Sequence, residues 1–453
     1  MTDVSLSTAP TAPGGLPLLG HLLPLLRDRL GYLQSLPAHG EVVQIRVGTH
    51  PVWVVTSPRI VREILAVQPD SFTKGTLFDK LKVFGGVPLP IAEGKAHLQR
   101  RRVMQPAFHR ERINSYIQTM IDTTERALAD KTWTDGARVD VLPEMQLMAQ
   151  GVVMSCLFGS DPARGEALTI MHAVDTVFAT AIKRATAPVT EHLPFGRRKL
   201  RRANETIRRA VADILADRRR NPADRDDLVT LLLDARDEDG RPLPDEEILS
   251  EITALLASGS ETTAVTMSWL FHQLGRHPEL EARLEAEVDA ATAGGPLTPS
   301  HLSQLPFTRR LVQETLRMHT PAWIITRRAS VEVQLGDTRL PAGADIIWSP
   351  WCLHRDPQSY PDPLVFDPDR WLPERPQPAR EAFFPFGAGK RMCIADVFSM
   401  AEAQVIIALV ASRWRLRPAP GTTVRPVPAI TPQPSGLSMI LEARRPAARA
   451  AAA

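Results

Sequence analysis

Apolar residues recur mostly at helical spacing along this chain, and only short segments alternate between apolar and polar residues. Glu41–Thr56 alternates in this way and predicts a strand pair near the N-terminus. From Pro58 to about Arg219 the spacing is helical, interrupted by glycine and proline. Strand-like spacing returns at Val331–Leu335 and Ile346–Ser349. The pattern therefore predicts a mainly α-helical fold with a minor β region.

The longest helical pattern begins with Asp245 as its expected N-cap and continues without proline to about His277. Such a helix is about 45 Å long at 1.5 Å per residue. Its residues are apolar on most faces, so we expect it to lie in the centre of the fold. Two further helices are predicted, at Pro306–His319 and from Ile394 to about Trp414.

The domain organisation follows from the same pattern. The polar stretch Arg218–Asp227 predicts a solvated loop, and no internal repeat or linker divides the chain. Residues 1–453 are therefore predicted to form a single domain, with flexible ends at 1–12 and 446–453.

Composition excludes several classes of protein. The chain has 54 basic and 51 acidic residues, a balance that argues against a nucleic-acid partner or a polybasic anchor. Its three cysteines contain no CxxC pair, which argues against a disulfide scaffold and suits a reducing cytosol. Met1–Gly15 lacks the features of a signal peptide, and no apolar run approaches the roughly 20 residues of a spanning helix. We expect a cytoplasmic protein without a membrane anchor.

One cysteine stands in a segment suited to a metal-ligating thiolate. Phe383–Ala395 (FFPFGAGKRMCIA) places Arg391 two residues before Cys393 and a predicted helix directly after it. Positive charge and a helix N-terminus both favour the thiolate form. Gly387 and Gly389 allow the backbone to turn tightly. The other two cysteines, Cys156 and Cys352, lie in apolar surroundings and are expected to be buried.

The predicted central helix contains a polar cluster, Ala257–Thr263 (ASGSETT), where a purely structural helix would be apolar. Glu261 and Thr262 form an acid and alcohol pair that can pass protons through water. Gly259 is expected to let the helix approach a ligand closely, and the hydroxyl groups are expected to create a local bulge. The alternative is a helix kink stabilised by serine and threonine.

Together these segments resemble the cytochrome P450 family. The haem-binding loop of that family, F-x-x-G-x-R-x-C-x-G, is matched by Phe386, Gly389, Arg391 and Cys393, with Ala395 in place of the last glycine. The ASGSETT run is similar to the family's [AG]-G-x-[DE]-T-[TS] helix, with Ser258 where alanine or glycine is common. The resemblance covers Pro13 to Leu441 and implies the P450 fold and a haem b cofactor.

The resemblance also implies roles for individual residues. Cys393 would ligate the iron, and Glu261 and Thr262 would deliver protons during catalysis. The haem propionates would be bound by His97, Arg101, Arg327 and Arg391, with Arg328 as an alternative to Arg327, whereas Arg100 and Arg102 are expected on a solvated face. A buried structural network would consist of Glu314, Arg317 and Arg370.

At a finer level the chain resembles bacterial P450s that oxidise terpene hydrocarbons, of the pentalenene oxygenase, epi-isozizaene monooxygenase and cyclooctatin-pathway hydroxylase type. The segments APGGLPLLGH, QRRRVMQPAFHRERI and GAGKRMCIADVFSMAEA carry this likeness. The substrate pocket expected from position is mostly apolar and suits an apolar small molecule. Its residues are Phe72, Leu77, Phe78, Phe84, Leu255, Ser258, Trp323, Ile324 and Leu437.

The implied activity is hydroxylation with dioxygen and two electrons, supplied by a ferredoxin and its reductase. Basic residues around Lys390 and Arg391 offer a docking face for an acidic carrier. Two alternatives stay open at this point: a P450-fold peroxygenase or isomerase, and a non-enzymatic haem-binding sensor. The substrate could also be a polyketide or a fatty acid.

Overall fold

The computed structural model describes residues 9–75, 78, 87–129, 133–159, 165, 168–174, 176–177, 180, 197–221, 227–236 and 239–444. Its α-helices are α1 (Leu22–Arg27), α2 (Arg29–Ser35), α3 (Pro58–Arg62), α4 (Gly94–Met104), α5 (Arg110–Leu128), α6 (Val141–Phe158), α7 (Arg197–Arg220), α8 (Leu228–Asp234), α9 (Asp245–Leu274), α10 (Pro278–Thr292), α11 (Pro306–Met318), α12 (Pro350–Leu353) and α13 (Asp396–Arg413). Its strands are β1 (Val42–Val47), β2 (His50–Val55), β3 (Phe72–Thr73), β4 (Arg138–Asp140), β5 (Ile325–Ala329), β6 (Val333–Leu335), β7 (Thr338–Leu340), β8 (Asp345–Trp348), β9 (Trp414–Pro418), β10 (Arg425–Pro428), β11 (Pro432–Ser435) and β12 (Ser438–Ala443).

By its internal contacts the chain divides into two compact units. The first consists of Met1–Lys82 and Leu316–Cys393, and the second of Val83–Thr315 and Ile394–Ala453. Leu77 and Phe84, two of the expected pocket residues, lie outside the described residues, as do residues 1–8 and 445–453. The single haem domain and its flexible ends remain predictions.

A five-stranded sheet organises the first unit, in the order β1-β2-β8-β5-β3. The expected strand pair is present as the antiparallel hairpin of β1 and β2. Successive valines of this hairpin face opposite sides, so that Val55 packs into one core cluster and Val54 into another. The sheet is therefore buried on both faces, as its many valines and isoleucines favour.

The second unit is built mainly of helices around α9. Its 30 residues form a continuous α-helix, and Pro244 occupies the N-cap that the sequence pattern assigned to Asp245. Asp245, Glu246 and Glu247 then lie in the first turn, where the helix dipole favours negative charge. Because α9 is α-helical throughout, the bulge expected at the polar cluster is wrong.

Two other expectations about local structure are also wrong. The final helix, α13, begins at Asp396 and not directly after Cys393 at Ile394. Of the stretch expected as a solvated loop, residues 222–226 lie outside the described residues, and its two ends form a buried ion pair, in which Arg218 donates from both terminal nitrogens to the Asp227 carboxylate at 2.6 and 2.5 Å. The sequence pattern predicts solvent exposure for such charged residues because it does not show that these two charges pair with each other.

Helix α6 is long and apolar enough to cross a membrane by length and composition. However, 72% of the Val141–Phe158 window is buried within the protein. Extensive packing of α6 against α9 and α5 accounts for its apolar character. Helix α6 is therefore a core helix of the second unit.

Candidate active site

The Cys393 loop is tightly constrained by its backbone. The Cys393 N–H donates to the Phe386 carbonyl at 2.8 Å, and Gly387 and Gly389 have φ values of +73° and +66°. A side chain at Gly389 is impossible, since its Cβ would lie 2.1 Å from the Leu65 carbonyl oxygen. The loop thus holds an exposed Cys393 in one position, outside any disulfide.

Ala395 replaces the glycine of the family pattern without backbone strain. Its φ and ψ of −103° and 21° are accessible to any L-residue, and it serves as the N-cap of α13. Helix α13 therefore begins three residues after Cys393.

The other two cysteines differ from Cys393 in their surroundings. Cys156 is buried, with its Sγ 3.8 Å from the Tyr116 carbonyl oxygen, and burial raises the pKa of its thiol. Burial also raises the pKa of Cys352 to about 11. Both thiols are therefore protonated at neutral pH, and the expected burial is met by Cys156, whereas Cys352 is only partly buried.

Two adjacent arginines of β5 have different environments in the first unit. Arg327 is buried beside the Trp348 ring, 5.5 Å from its centroid. Arg328 faces the opposite side of the strand and makes two 3.0 Å bonds to Asp345. Because the Arg328 guanidinium is held by a carboxylate, Arg327 is the better propionate candidate. Arg391 is partly buried at the end of a 3-10 turn in the Cys393 loop.

Arg317 and Arg370 both lie beside one tyrosine ring within the first unit. Their guanidinium carbons lie 5.2 and 5.9 Å from the Tyr360 ring centroid. Arg317 is fully buried and donates to the carbonyls of His354, Pro363 and Val365 at 2.8–3.2 Å. Glu314, three residues before Arg317 on α11, is also fully buried. Its membership in a network with both arginines remains a prediction.

In the second unit, α4 carries the candidate pair His97 and Arg101. His97 is buried and Arg101 is partly exposed one turn later. Arg102 is exposed, as expected of a solvated face. The same expectation for Arg100 is wrong, because its guanidinium bonds to Glu251 at 2.8 Å and to Glu247 at 3.0 Å.

The polar cluster of α9 has a defined hydrogen-bond pattern. The Thr262 hydroxyl donates to the Ser258 carbonyl at 2.7 Å. Glu261 is buried, and its Oε1 accepts from Thr431 Oγ1 at 2.7 Å and from Gln433 Nε2 at 3.1 Å. The peptide between these two donors is held in turn by Trp269, whose ring N–H donates to the Pro432 carbonyl at 2.8 Å.

Gly259 serves helix packing. A Cβ at this position would lie 3.1 Å from a Val153 methyl carbon on α6. The missing side chain therefore lets α9 approach α6 closely, and the close approach to a ligand expected from sequence remains a prediction.

Comparison with known proteins identifies the family. A model of the cytochrome P450 family matches residues 10–440. The chain belongs to this family.

Cyclooctat-9-en-7-ol 5-monooxygenase of Streptomyces melanosporofaciens is 40% identical over 442 residues, which cover 96% of either chain. Pentalenene oxygenase of Streptomyces avermitilis is 37% identical over 449 residues, covering 97% of this chain and 98% of the relative. Leukotriene-B4 omega-hydroxylase 3 of Mus musculus is 31% identical over 398 residues, covering 81% and 76%.

This P450 is accordingly a monooxygenase with a haem-iron cofactor, and the family and fold class expected from sequence are confirmed. Its donor set fits that cofactor. Cys393 is a single accessible thiol, and one thiolate suits an iron already held by a macrocycle. Among the described residues no group of three or more His, Cys, Asp or Glu residues is arranged to hold a metal ion alone.

The expected pocket residues of this P450 have varied surroundings. Phe72 and Trp323 pack into the two core clusters of the first unit, and Ile324 lies against the second of these clusters. In the second unit, Leu255 and Leu437 are buried, whereas Ser258 is exposed. Phe78 is partly exposed, with the Lys74 ammonium 4.8 Å from its ring centroid. Phe72 and Trp323 are thus core residues, and the pocket assignment as a whole remains a prediction.

Glu402 is a buried acid that sequence reasoning missed. It lies in α13, and its Oε2 accepts from the Thr263 hydroxyl of α9 at 2.9 Å. Complete burial raises the pKa of this carboxyl to about 8. The side chain is therefore largely protonated at neutral pH. The available signal was a glutamate inside the apolar helical run Ala401–Val410.

Proposed function

We propose that this P450 hydroxylates an apolar small molecule of the terpenoid class, using dioxygen and two electrons. The Cys393 loop is the observation that supports this reaction, because it holds one exposed cysteine at the position where the family has its iron ligand. The relatives support the substrate class: two of them are named for cyclooctat-9-en-7-ol and pentalenene. Biosynthesis of a terpenoid in the cytoplasm is the corresponding cellular role.

We propose haem b as the cofactor, with Cys393 as the iron ligand. When bound, the haem supplies the activation of dioxygen, and a thiolate ligand favours O–O cleavage. The proposed propionate partners are His97, Arg101, Arg327 and Arg391. The chemistry of these side chains supports the assignment, because imidazole and guanidinium N–H groups can donate hydrogen bonds to a propionate carboxylate.

Proton delivery is the proposed role of Glu261 and Thr262. Two donors hold one carboxylate oxygen of Glu261 in place, which orients the acid before any substrate arrives. The Thr262 hydroxyl points its proton at the Ser258 carbonyl, so that its oxygen can accept a hydrogen bond from water. An acid next to an alcohol can then relay protons through water to the reaction centre.

The proposed substrate contacts are mostly aliphatic. Leu255 and Leu437 of the second unit and Ile324 of the first offer surface without hydrogen-bonding groups. Ser258 is the polar member, and its hydroxyl already donates to the Ala254 carbonyl at 2.7 Å. Such a lining selects by shape and apolar area, as a terpene hydrocarbon requires.

Electrons are proposed to come from a ferredoxin and its reductase. Lys390 and Arg391 offer positive charge beside Cys393, and acidic carriers are attracted to such a surface. An ion pair between Lys390 and Asp70 offsets part of that charge. We therefore expect salt-sensitive but moderate affinity for the ferredoxin.

Two measurements test the proposal. The reduced protein with carbon monoxide should show the red-shifted Soret band of a thiolate ligand, and Cys393→Ala should lose it while Cys352→Ala keeps it. With ferredoxin, reductase and NADPH, terpene hydrocarbons should be hydroxylated, and matched fatty acids and polyketides should not. Turnover with hydrogen peroxide but none with the ferredoxin system would point to a peroxygenase. If Cys393→Ala kept the red-shifted Soret band, the assignment of Cys393 as the iron ligand would be refuted.

A further inference from the structure

A buried histidine of the first unit contacts the segment that leads into the Cys393 loop. His354 follows the short helix α12 and is completely buried. Its Nε2 accepts the Phe384 N–H at 3.2 Å. Its ring also lies against two phenylalanines, with centroids 5.5 Å from that of Phe383 and 5.0 Å from that of Phe384. The imidazole therefore holds this segment by a hydrogen bond and by ring packing.

An imidazole nitrogen can accept a hydrogen bond only when it carries no proton. Burial, together with the nearby charges of Arg317 and Arg355, lowers the pKa of His354 to about 3. The ring is therefore neutral at neutral pH. Because Nε2 accepts the Phe384 N–H, the single proton lies on Nδ1.

The backbone of His354 is itself held at both of its polar groups. Its N–H donates to the Pro350 carbonyl at 2.8 Å, and its carbonyl accepts from Arg317 Nη1 at 2.9 Å. Arg317 is fully buried. The imidazole thus projects from a fixed point and links a buried arginine to the segment before Cys393.

A tyrosine holds the same segment two residues earlier. Tyr360 is fully buried, and its hydroxyl donates to the Ala382 carbonyl at 2.9 Å. Between the two hydrogen-bonded positions, the ring of Phe383 packs against Trp371, with centroids 4.4 Å apart. We call His354 and Tyr360 the loop anchor, since both bond directly to the backbone of residues 382–384.

Backbone hydrogen bonds continue from this segment to Cys393. The Phe384 carbonyl accepts the Gly387 N–H at 2.9 Å, and the Phe386 carbonyl accepts the Cys393 N–H at 2.8 Å. Phe384 is therefore bonded to His354 through its N–H and to the glycine turn through its carbonyl. A displacement of Phe384 would move the turn that holds Cys393.

We propose that the loop anchor positions Cys393 for the haem iron. His354 and Tyr360 touch neither the cysteine nor the reacting atoms, so they are positioning residues that act through the backbone of residues 382–387. Partners of this kind orient a metal ligand and thereby tune the metal. This inference rests on the proposed role of Cys393 as the iron ligand.

The carbon monoxide spectrum of the reduced holoprotein tests the role of His354. His354→Leu leaves the buried Phe384 N–H without an acceptor, so the loop should shift to satisfy it. The ratio of the unshifted to the red-shifted Soret band should then rise roughly fivefold, as expected for one lost buried hydrogen bond. His354→Gln offers an acceptor oxygen at the same distance along the side chain and should restore the wild-type ratio.

Tyr360→Phe provides a milder test, because it removes only the hydroxyl that donates to Ala382. The band ratio should rise in the same direction as in His354→Leu. The reduction potential of the iron is a second measurement for both variants. A weakened thiolate donates less electron density to the iron, so the potential should rise.

His21→Leu is the matched control. His21 is buried in the same unit, and its Nδ1 accepts the Arg46 N–H at 2.9 Å. Both leucine variants thus lose a buried imidazole that accepts a backbone N–H, and both should unfold at lower urea concentrations than wild type. Only His354→Leu should change the band ratio and the reduction potential.

Two results would overturn the proposal. One is a wild-type band ratio and potential in both His354→Leu and Tyr360→Phe, and the other is an equal change in His21→Leu, which would indicate general destabilisation. Cys393→Ala separates this inference from the assignment on which it rests. If Cys393→Ala kept the red-shifted band, the ligand assignment would fail; if it lost that band while the anchor variants matched wild type, only the positioning role would fail.

Discussion

Replacement of Glu402 by glutamine should remove a specific pH dependence from the stability of this P450. Glu402 is fully buried in α13, and its pKa is raised from 4.5 to about 8. At about 1.4 kcal/mol for each tenfold change in the ionisation constant, this rise corresponds to roughly 5 kcal/mol between the two protonation states. Ionising this carboxyl in the folded protein therefore has a large cost.

The direction follows from proton linkage. The folded protein retains the Glu402 proton up to about pH 8, whereas the unfolded chain releases it near its ordinary pKa of 4.5. Stability from this group is complete below about pH 4.5 and is lost progressively as the pH rises to about 8. Glutamine cannot ionise, so Glu402→Gln should flatten this slope and give a more stable protein at the alkaline end.

Urea unfolding of the holoprotein, followed by tryptophan fluorescence at several pH values from about 5 to about 8, measures this slope. Glu374→Gln is the control, since Glu374 is exposed and its neutralisation should leave the slope as in wild type. The amide keeps an oxygen for the Thr263 hydroxyl, so the link between α13 and α9 is preserved. Parallel curves for wild type and Glu402→Gln would refute the reasoning.

Three further predictions concern the proposed site. Thr262→Ala should raise the peroxide released per NADPH consumed, because one member of the proton relay is lost; unchanged coupling would remove Thr262 from that role. Thr431→Val deletes the 2.7 Å donor to Glu261, a hydrogen bond worth on the order of 1 kcal/mol, and should uncouple turnover without weakening substrate binding in a spectral titration. Coupling as in wild type would show that Thr431 does not position the acid. Arg317→Met leaves three carbonyls without a donor, so it should lower the free energy of unfolding in urea by about 3–5 kcal/mol and reduce the haem content. The exposed control Arg102→Met should do neither. An Arg317→Met protein as stable as wild type would contradict the structural role of Arg317.

Local sequence was sufficient where the backbone itself carries the information. The β1–β2 hairpin and the helix α11 lie close to their expected positions, since alternation and helical spacing report local geometry. The tight turn of the Cys393 loop was also predictable, because its two glycines adopt positive φ, a local backbone conformation that does not depend on distant elements. Boundaries were less accurate, as α13 shows by beginning two residues later than expected.

Neighbouring residues of the same type could not be separated from sequence. Arg100 pairs with buried Glu251, whereas Arg102 is solvated. Arg327 is buried beside Trp348, whereas Arg328 pairs with Asp345. In each case the pattern predicted a basic segment, and only the packing of distant elements decided which cation meets an acid.

The sequence by itself determined the family and the class of chemistry and predicted the position of the thiolate, because these depend on short segments whose residues act through neighbours along the chain. Tertiary structure decided the protonation of Glu402, the burial of the Arg218–Asp227 pair and the orientation of Glu261 by Thr431. The physical reason is common to all three. A helical period shows which residues share a face, but solvation and hydrogen bonding depend on what that face meets, and those partners lie far away in the chain.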